Sequence, residues 1–141
     1  MSRLAEVFLD AAYAIALSAP ADAFHTRVEL LAEQMETDAT KIVTTRAVLL
    51  EIGNALSKQR YRADAVALLE ALEADRNVEI VPITEDLFAR AFHLYRSRLD
   101  KEWGLIDCLS FVVMQERGIT AALTTDDHFR QAGFHVLLRE E

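Results

Sequence analysis

Four acids in this 141-residue chain sit where their neighbours favour burial: Asp10 in VFLDAAYAIAL, Glu51 in AVLLEIGNAL, Asp107 in GLIDCLSFVVM, and Asp126 directly after TAALTT. A carboxylate taken out of water without a partner is strongly destabilising, or takes up a proton. Each acid alone has an ordinary explanation. Asp10 can cap the helix that follows it. Asp107 can stabilise a helix N-terminus, where backbone N–H groups are free and the dipole favours negative charge. Asp126 and Asp127 can be turn residues. Glu51 has no capping role. Taken together, carboxylates that converge would repel one another until something neutralised them, and a hard divalent cation with oxygen ligands does so. Such a cation serves phosphodiester hydrolysis by activating water and stabilising charge on the leaving oxygen.

Convergence depends on the elements that carry the acids. Glu6 to Leu9 reads as a first strand, followed by a helical AAYAIALS that ends before Pro20. Asp22 is placed to cap a helix to about Glu36, because Phe24, Val28, Leu31 and Met35 recur at helical spacing. Lys41 to Thr45 reads as a second strand whose threonines cap a helix to about Ser57. Residues 62–75 form an amphipathic helix with Ala65, Leu68, Leu69 and Leu72 on one face. Val78 to Ile83 is a third strand, and its proline suggests an edge or a strand end. Thr84 caps a helix to about Leu99, with Glu85 and Asp86 favourable in its first turn. A buried helix over 105–117 stops at Gly118; Thr120 to Thr125 is a fourth strand and Phe134 to Leu138 a fifth. This alternation predicts an α/β domain with a mainly parallel sheet of four to five strands and helices on both sides. Ligands of such sheets gather outside the carboxyl ends of the strands. Asp10 and Asp126 fall there directly, and Glu51 and Asp107 belong to early helical turns that start from the same edge.

Composition sets the outer bounds. The chain is 52% hydrophobic with four Gly and two Pro, which leaves little linker material and predicts one domain over 1–141. Its net charge of -8 argues against binding nucleic acid through a general basic surface. Small basic clusters at Lys58/Arg60/Arg62 and Arg96/Arg98/Lys101 read as solvated helix ends. Cys108 is the single cysteine, which excludes an internal disulfide and fits a reducing cytoplasm. No signal peptide is expected at the start, and no apolar run reaches the roughly 18 residues of a membrane helix.

The order Asp, Glu, Asp, Asp in these contexts resembles the PIN-domain family, particularly the VapC-like toxins of type II toxin–antitoxin modules. The likeness runs through VFLDAAYAIAL, TTRAVLLEIGNAL, DKEWGLIDCLSFVVMQERGI and ALTTDDHFRQAGF, nearly the whole chain. It implies a three-layer α/β/α fold and a ribonuclease dependent on Mg2+ or Mn2+, with Asp10, Glu51, Asp107 and Asp126 as catalytic and metal-binding acids. Asp10, Asp107 and Asp126 would contact one or two ions, and Glu51 would be a further ligand or orient the attacking water. Thr124 matches the hydroxyl position of a T-x-D motif, Asp127 is a fifth acid of lower rank, and Ser110 is placed about one turn after Asp107. The implied partners are an RNA substrate, a VapB-like antitoxin and a second copy of the chain in a homodimer, with no membrane. The apolar helices near residues 24–35 and 61–72 are candidates for such contacts, although a core role accounts for them as well.

The chain also departs from the family pattern. Ala11 and Ala12 stand where a hydroxyl or amide residue is common after the first Asp, and Gly104, Leu105 and Ile106 precede the third acid where polar residues are frequent. A phosphoaspartyl phosphatase would need a second acid at Ala12, and a receiver domain would need an acidic pair and a late lysine that are not in register. His25, His93, His128 and His135 show no zinc-ligand spacing, and Cys108 has no nearby His in sequence, which argues against zinc or thiol chemistry. The rival readings are an RNA-processing nuclease without an antitoxin and a PIN-like module that binds without cutting.

Overall fold

Strand β1 (Glu6–Leu9) leads directly into helix α1 (Ala11–Ser18), with Asp10 as the junction between them. The computed structural model describes residues 4–18 and 21–139, so Pro20 lies outside the described residues. The chain continues through α2 (His25–Asp38), β2 (Lys41–Thr45), α3 (Arg46–Ala55), α4 (Gln59–Ala74) and β3 (Val78–Val81). It ends with α5 (Glu85–Ser97), α6 (Leu105–Arg117), β4 (Ala121–Leu123), α7 (Asp127–Gln131), β5 (His135–Val136) and a short 3-10 turn over Leu137–Arg139. All strand pairs are parallel, in the order β3-β2-β1-β4-β5.

Local chemistry explains most of the boundaries. Thr45 Oγ1 accepts from Val48 N at 3.1 Å and Thr84 Oγ1 accepts from Leu87 N at 3.0 Å, so each threonine ends its extended segment and starts a helix. Gly118 takes a left-handed φ of 65°, which lets Ile119 N reach Met114 O and closes α6. Pro82 has no N–H, and β3 stops at Val81 on the sheet edge, two residues earlier than its sequence suggests.

Other expectations need correction too, among them the fourth strand, which spans only Ala121–Leu123. Asp22 does not cap α2: the residue before that helix is Phe24, and Asp22 Oδ1 instead accepts from Phe24 N at 2.8 Å in a turn upstream. The fifth strand is two residues long, because the chain coils into the 3-10 turn at Leu137. Residues 127–131 form α7, where the sequence reads as a turn, because Asp126 caps them through His128 N.

The strand order sets the layers. From β1 the chain moves to β2 and β3 on one side, then crosses back to β4 and β5 on the other. Right-handed crossovers therefore place α1 to α4 on one face and α5 to α7 on the opposite face. Packing follows this division: α1 touches α2, α3 and α4, while α5 packs on α6 and α6 on α7. The direction reverses between β1 and β4, and in open parallel sheets the crevice at that point is where ligands bind. Phe8↔Ala122 and Leu9↔Leu123 are in register, which brings Asp10 and Thr124 side by side at the carboxyl ends.

Behind this crevice is an aromatic cluster. Phe111 of α6 meets Phe129 of α7 at 4.9 Å and Trp103 at 5.1 Å, both edge-on, and Phe129 lies 6.4 Å from Phe8 of β1. Phe8, Phe111 and Phe129 are fully buried, so β1, α6 and α7 are fixed to one another by their rings. The inner faces of α2 (Val28, Leu31, Met35) and α4 (Ala65, Leu72) are also buried in the core. Larger apolar side chains are exposed on and just after α5, at Phe88, Phe92, Tyr95 and Leu99. Truncating Phe111→Ala should destabilise the protein by about 3–5 kcal/mol, read as a shift in the denaturant midpoint.

Candidate active site

Asp10 occupies the first position after β1, and its N–H donates to Leu123 O of β4 at 3.3 Å. Its carboxylate is buried, and Oδ2 accepts from Thr124 Oγ1 at 2.7 Å. The same Thr124 oxygen accepts from Asp126 N at 3.0 Å, so one hydroxyl orients two acids. Asp126 Oδ1 then accepts from His128 N at 2.8 Å and starts α7. On α6, Asp107 Oδ2 reaches back to the Gly104 N–H at 3.1 Å, satisfying a donor that the helix start leaves open.

His128 joins these two arms. Its Nδ1 lies 3.2 Å from Asp107 Oδ2 and 3.3 Å from Asp126 Oδ1. One ligand atom from each of Asp107, Asp126 and His128 falls within a span of 4.8 Å. Glu51 stands half-buried in the second turn of α3, with no hydrogen bond or ion pair of its own among the described residues.

The electrostatics link all four acids. Burial pushes Asp10 up to about 7, a shift that Thr124 opposes and that Glu51 and Asp107 reinforce. Burial also raises Glu51, with Asp107 and Asp126 adding to it. Asp107 is raised first by burial and further by Asp126, against the lowering effect of the Gly104 N–H and of His128. Among the described residues no Lys or Arg pairs with any of the four. Carboxylate oxygens backed by a hydroxyl, crowded and short of positive charge, are a donor set that fits a hard divalent cation.

The remaining expected residues lie apart from this cluster. Asp127 is exposed and pairs with Arg130 at 3.1 Å. Ser110 is fully buried, and its hydroxyl donates to Ile106 O at 3.2 Å within α6. Spacing in the sequence does not distinguish His128, since the four histidines fit no zinc pattern. The available signal was its position two residues beyond a capping Asp, which turns it back over the start of α7. Beside the acids, Asp100, Lys101, Glu102, His128 and Gln131 line a shallow cleft of about 250 Å³.

A family model described as the PIN domain matches residues 7–135. Curated relatives named 23S rRNA-specific endonuclease VapC20, from two Mycobacterium tuberculosis strains (CDC 1551 and H37Rv), are 28% identical over 128 residues, covering 91% of this chain and 95% of theirs. The crystal structure of M. tuberculosis VapC20, titled a sarcin–ricin loop cleaving toxin, superposes with a TM-score of 0.80 at 27% identity, over 91% of this chain and 95% of that one. Among the described residues, no helix is long and apolar enough to cross a membrane.

The raised Asp10 makes stability depend on pH. Its ordinary value is 3.8 and its folded value about 7, so between them the folded protein keeps a proton that the unfolded chain has lost. This contribution is complete below the lower value and is lost as pH rises through the upper one. In chelator, the thermal midpoint should fall between about pH 4 and pH 7, and Asp10→Asn should raise the midpoint at the upper end of that window and flatten the slope. Scanning calorimetry across that range checks both.

Proposed function

This chain belongs to the PIN-domain family, and on that footing we propose that it is a divalent-cation-dependent ribonuclease of the VapC toxin type. What supports the reading is that Asp107, Asp126 and His128 offer ligand atoms within 4.8 Å of one another, that Asp10 and Glu51 are near enough for neighbouring acids to raise them, and that among the described residues no Lys or Arg neutralises these acids. In this reading Asp10, Asp107 and Asp126 hold the cation, directly or through water. A bound Mg2+ or Mn2+ supplies the charge neutralisation and Lewis acidity that in-line phosphodiester hydrolysis needs.

The chain's own residues do the rest. Thr124 fixes Asp10 by donating to Oδ2 and fixes the Asp126 backbone by accepting its N–H. The Gly104 N–H holds the Asp107 carboxylate on its helix start. Glu51, whose carboxyl is raised above its ordinary range, orients the attacking water or serves as a further ligand. Lys101 lines the adjoining cleft and is placed to meet an RNA phosphate, as a point charge. Asp127 and Ser110 are left outside the reaction, with surface and packing roles.

The likeness to VapC20 extends the reading to an RNA substrate and a VapB-like antitoxin that neutralises the enzyme; the homodimer rests on the family resemblance alone. Since those relatives are named for action on 23S rRNA and its sarcin–ricin loop, ribosomal RNA is the first substrate to offer. Cleavage of ribosomal RNA should require Mg2+ or Mn2+ and stop in chelator, and Asp107→Asn should lower the rate about 100-fold or more. Equal cleavage in chelator, or an unimpaired variant, would contradict the reading.

A further inference from the structure

We infer that His128 is a nitrogen ligand of the cation site, so that the shell is mixed rather than purely carboxylate and prefers Mn2+ over Mg2+. The inference rests on the divalent-cation reading above and adds a residue outside the acid pattern. It starts from distances. Nδ1 of His128 is 3.2 Å from Asp107 Oδ2 and 3.3 Å from Asp126 Oδ1. Neighbouring donors in an octahedral shell of radius about 2.1 Å lie about 3 Å apart, and those at a larger radius somewhat farther. The two spacings that His128 makes therefore match edges of one shell, and all three ligand atoms lie within 4.8 Å of one another.

A charge-assisted hydrogen bond makes a poorer account of the same atoms. Such bonds close to about 2.7–2.9 Å, and a ring hydrogen bond to Asp107 Oδ2 leaves the equally near Asp126 Oδ1 unaccounted for. Both observed distances are longer than that and nearly equal. The residue is also held in place from behind. Its N–H is bonded to Asp126 Oδ1, and the next residue, Phe129, is fully buried against Phe8 and Phe111. The imidazole is thus carried on a rigid backbone while remaining partly open to solvent, as an entering ion requires.

Imidazole nitrogen suits first-row transition ions, whereas Mg2+ favours oxygen and keeps its waters. Replacing one oxygen donor by His128 therefore biases the site toward Mn2+.

The test is electron spin-echo spectroscopy of the full chain loaded with one equivalent of Mn2+, which reads nitrogen coupled directly to the ion. Wild type and His93→Ala should show 14N modulation, and His128→Ala and His128→Gln should both lose it. In equilibrium titrations the same two variants should lose about tenfold or more in Mn2+ affinity and less in Mg2+ affinity. Absence of 14N modulation in the wild type, or its persistence in both His128 variants, overturns the inference, as does failure to bind Mn2+ at all. Cleavage of ribosomal RNA by the same samples separates the two claims. Metal-dependent cleavage without nitrogen coupling removes His128 and keeps the ribonuclease, whereas coupling without cleavage keeps the ligand and removes the ribonuclease.

Discussion

Mutual repulsion among carboxylates is the constraint that the rest of this structure has to resist. Asp10, Glu51 and Asp107 are each raised first by burial and then by a neighbouring acid of the same group. The contrast with the surface is direct. Glu79, held between Arg117 and Lys41, has its carboxyl lowered to about 2, mainly through the Arg117 hydrogen bond. At this surface position the acid is paired with bases. At the carboxyl end of β1 and β4 the chain gathers acids and supplies two hydrogen-bond donors, the Thr124 hydroxyl and the Gly104 N–H. These donors orient the carboxylates and offset only part of the repulsion, which leaves the site disposed to take up a cation.

Holding the acids in place is the work of the fold. Parallel pairing of β1 with β4 sets Asp10 beside Thr124, and a shift of one residue would turn every side chain to the other face. The buried rings of Phe8, Phe111 and Phe129 tie the strand carrying Asp10 to the helices carrying Asp107 and His128. Position and chemistry are therefore coupled, because loosening the aromatic cluster would move ligands relative to one another.

Much of this was legible in the sequence, for physical reasons that differ between elements. β1, β2 and α6 stand out because each begins or ends on a residue with one structural use: Asp10 after an apolar strand, Thr45 as a cap, Gly118 with its left-handed backbone. Asp22 is ambiguous in the sequence, because an Asp ahead of a helical pattern can serve the preceding turn equally well, and only the three-dimensional hydrogen bond decides. Helix α7 is five residues long, too short for periodicity to reveal, and its cap Asp126 reads from sequence as a turn residue or a metal-binding acid, not as a helix start. His128 was hidden for the same reason. Its closeness to Asp107, 21 positions earlier, depends on how α7 packs on α6, which no local pattern encodes.

The central claim is that these carboxylates bind a divalent cation in place of protons. Titration calorimetry of Mn2+ into the protein near pH 6, in two buffers of different ionisation heat, measures it most directly. The account predicts binding with net proton release, because Asp10, raised to about 7, is still largely protonated there and must ionise to accept the ion. Binding with no proton release, or no binding, would contradict it.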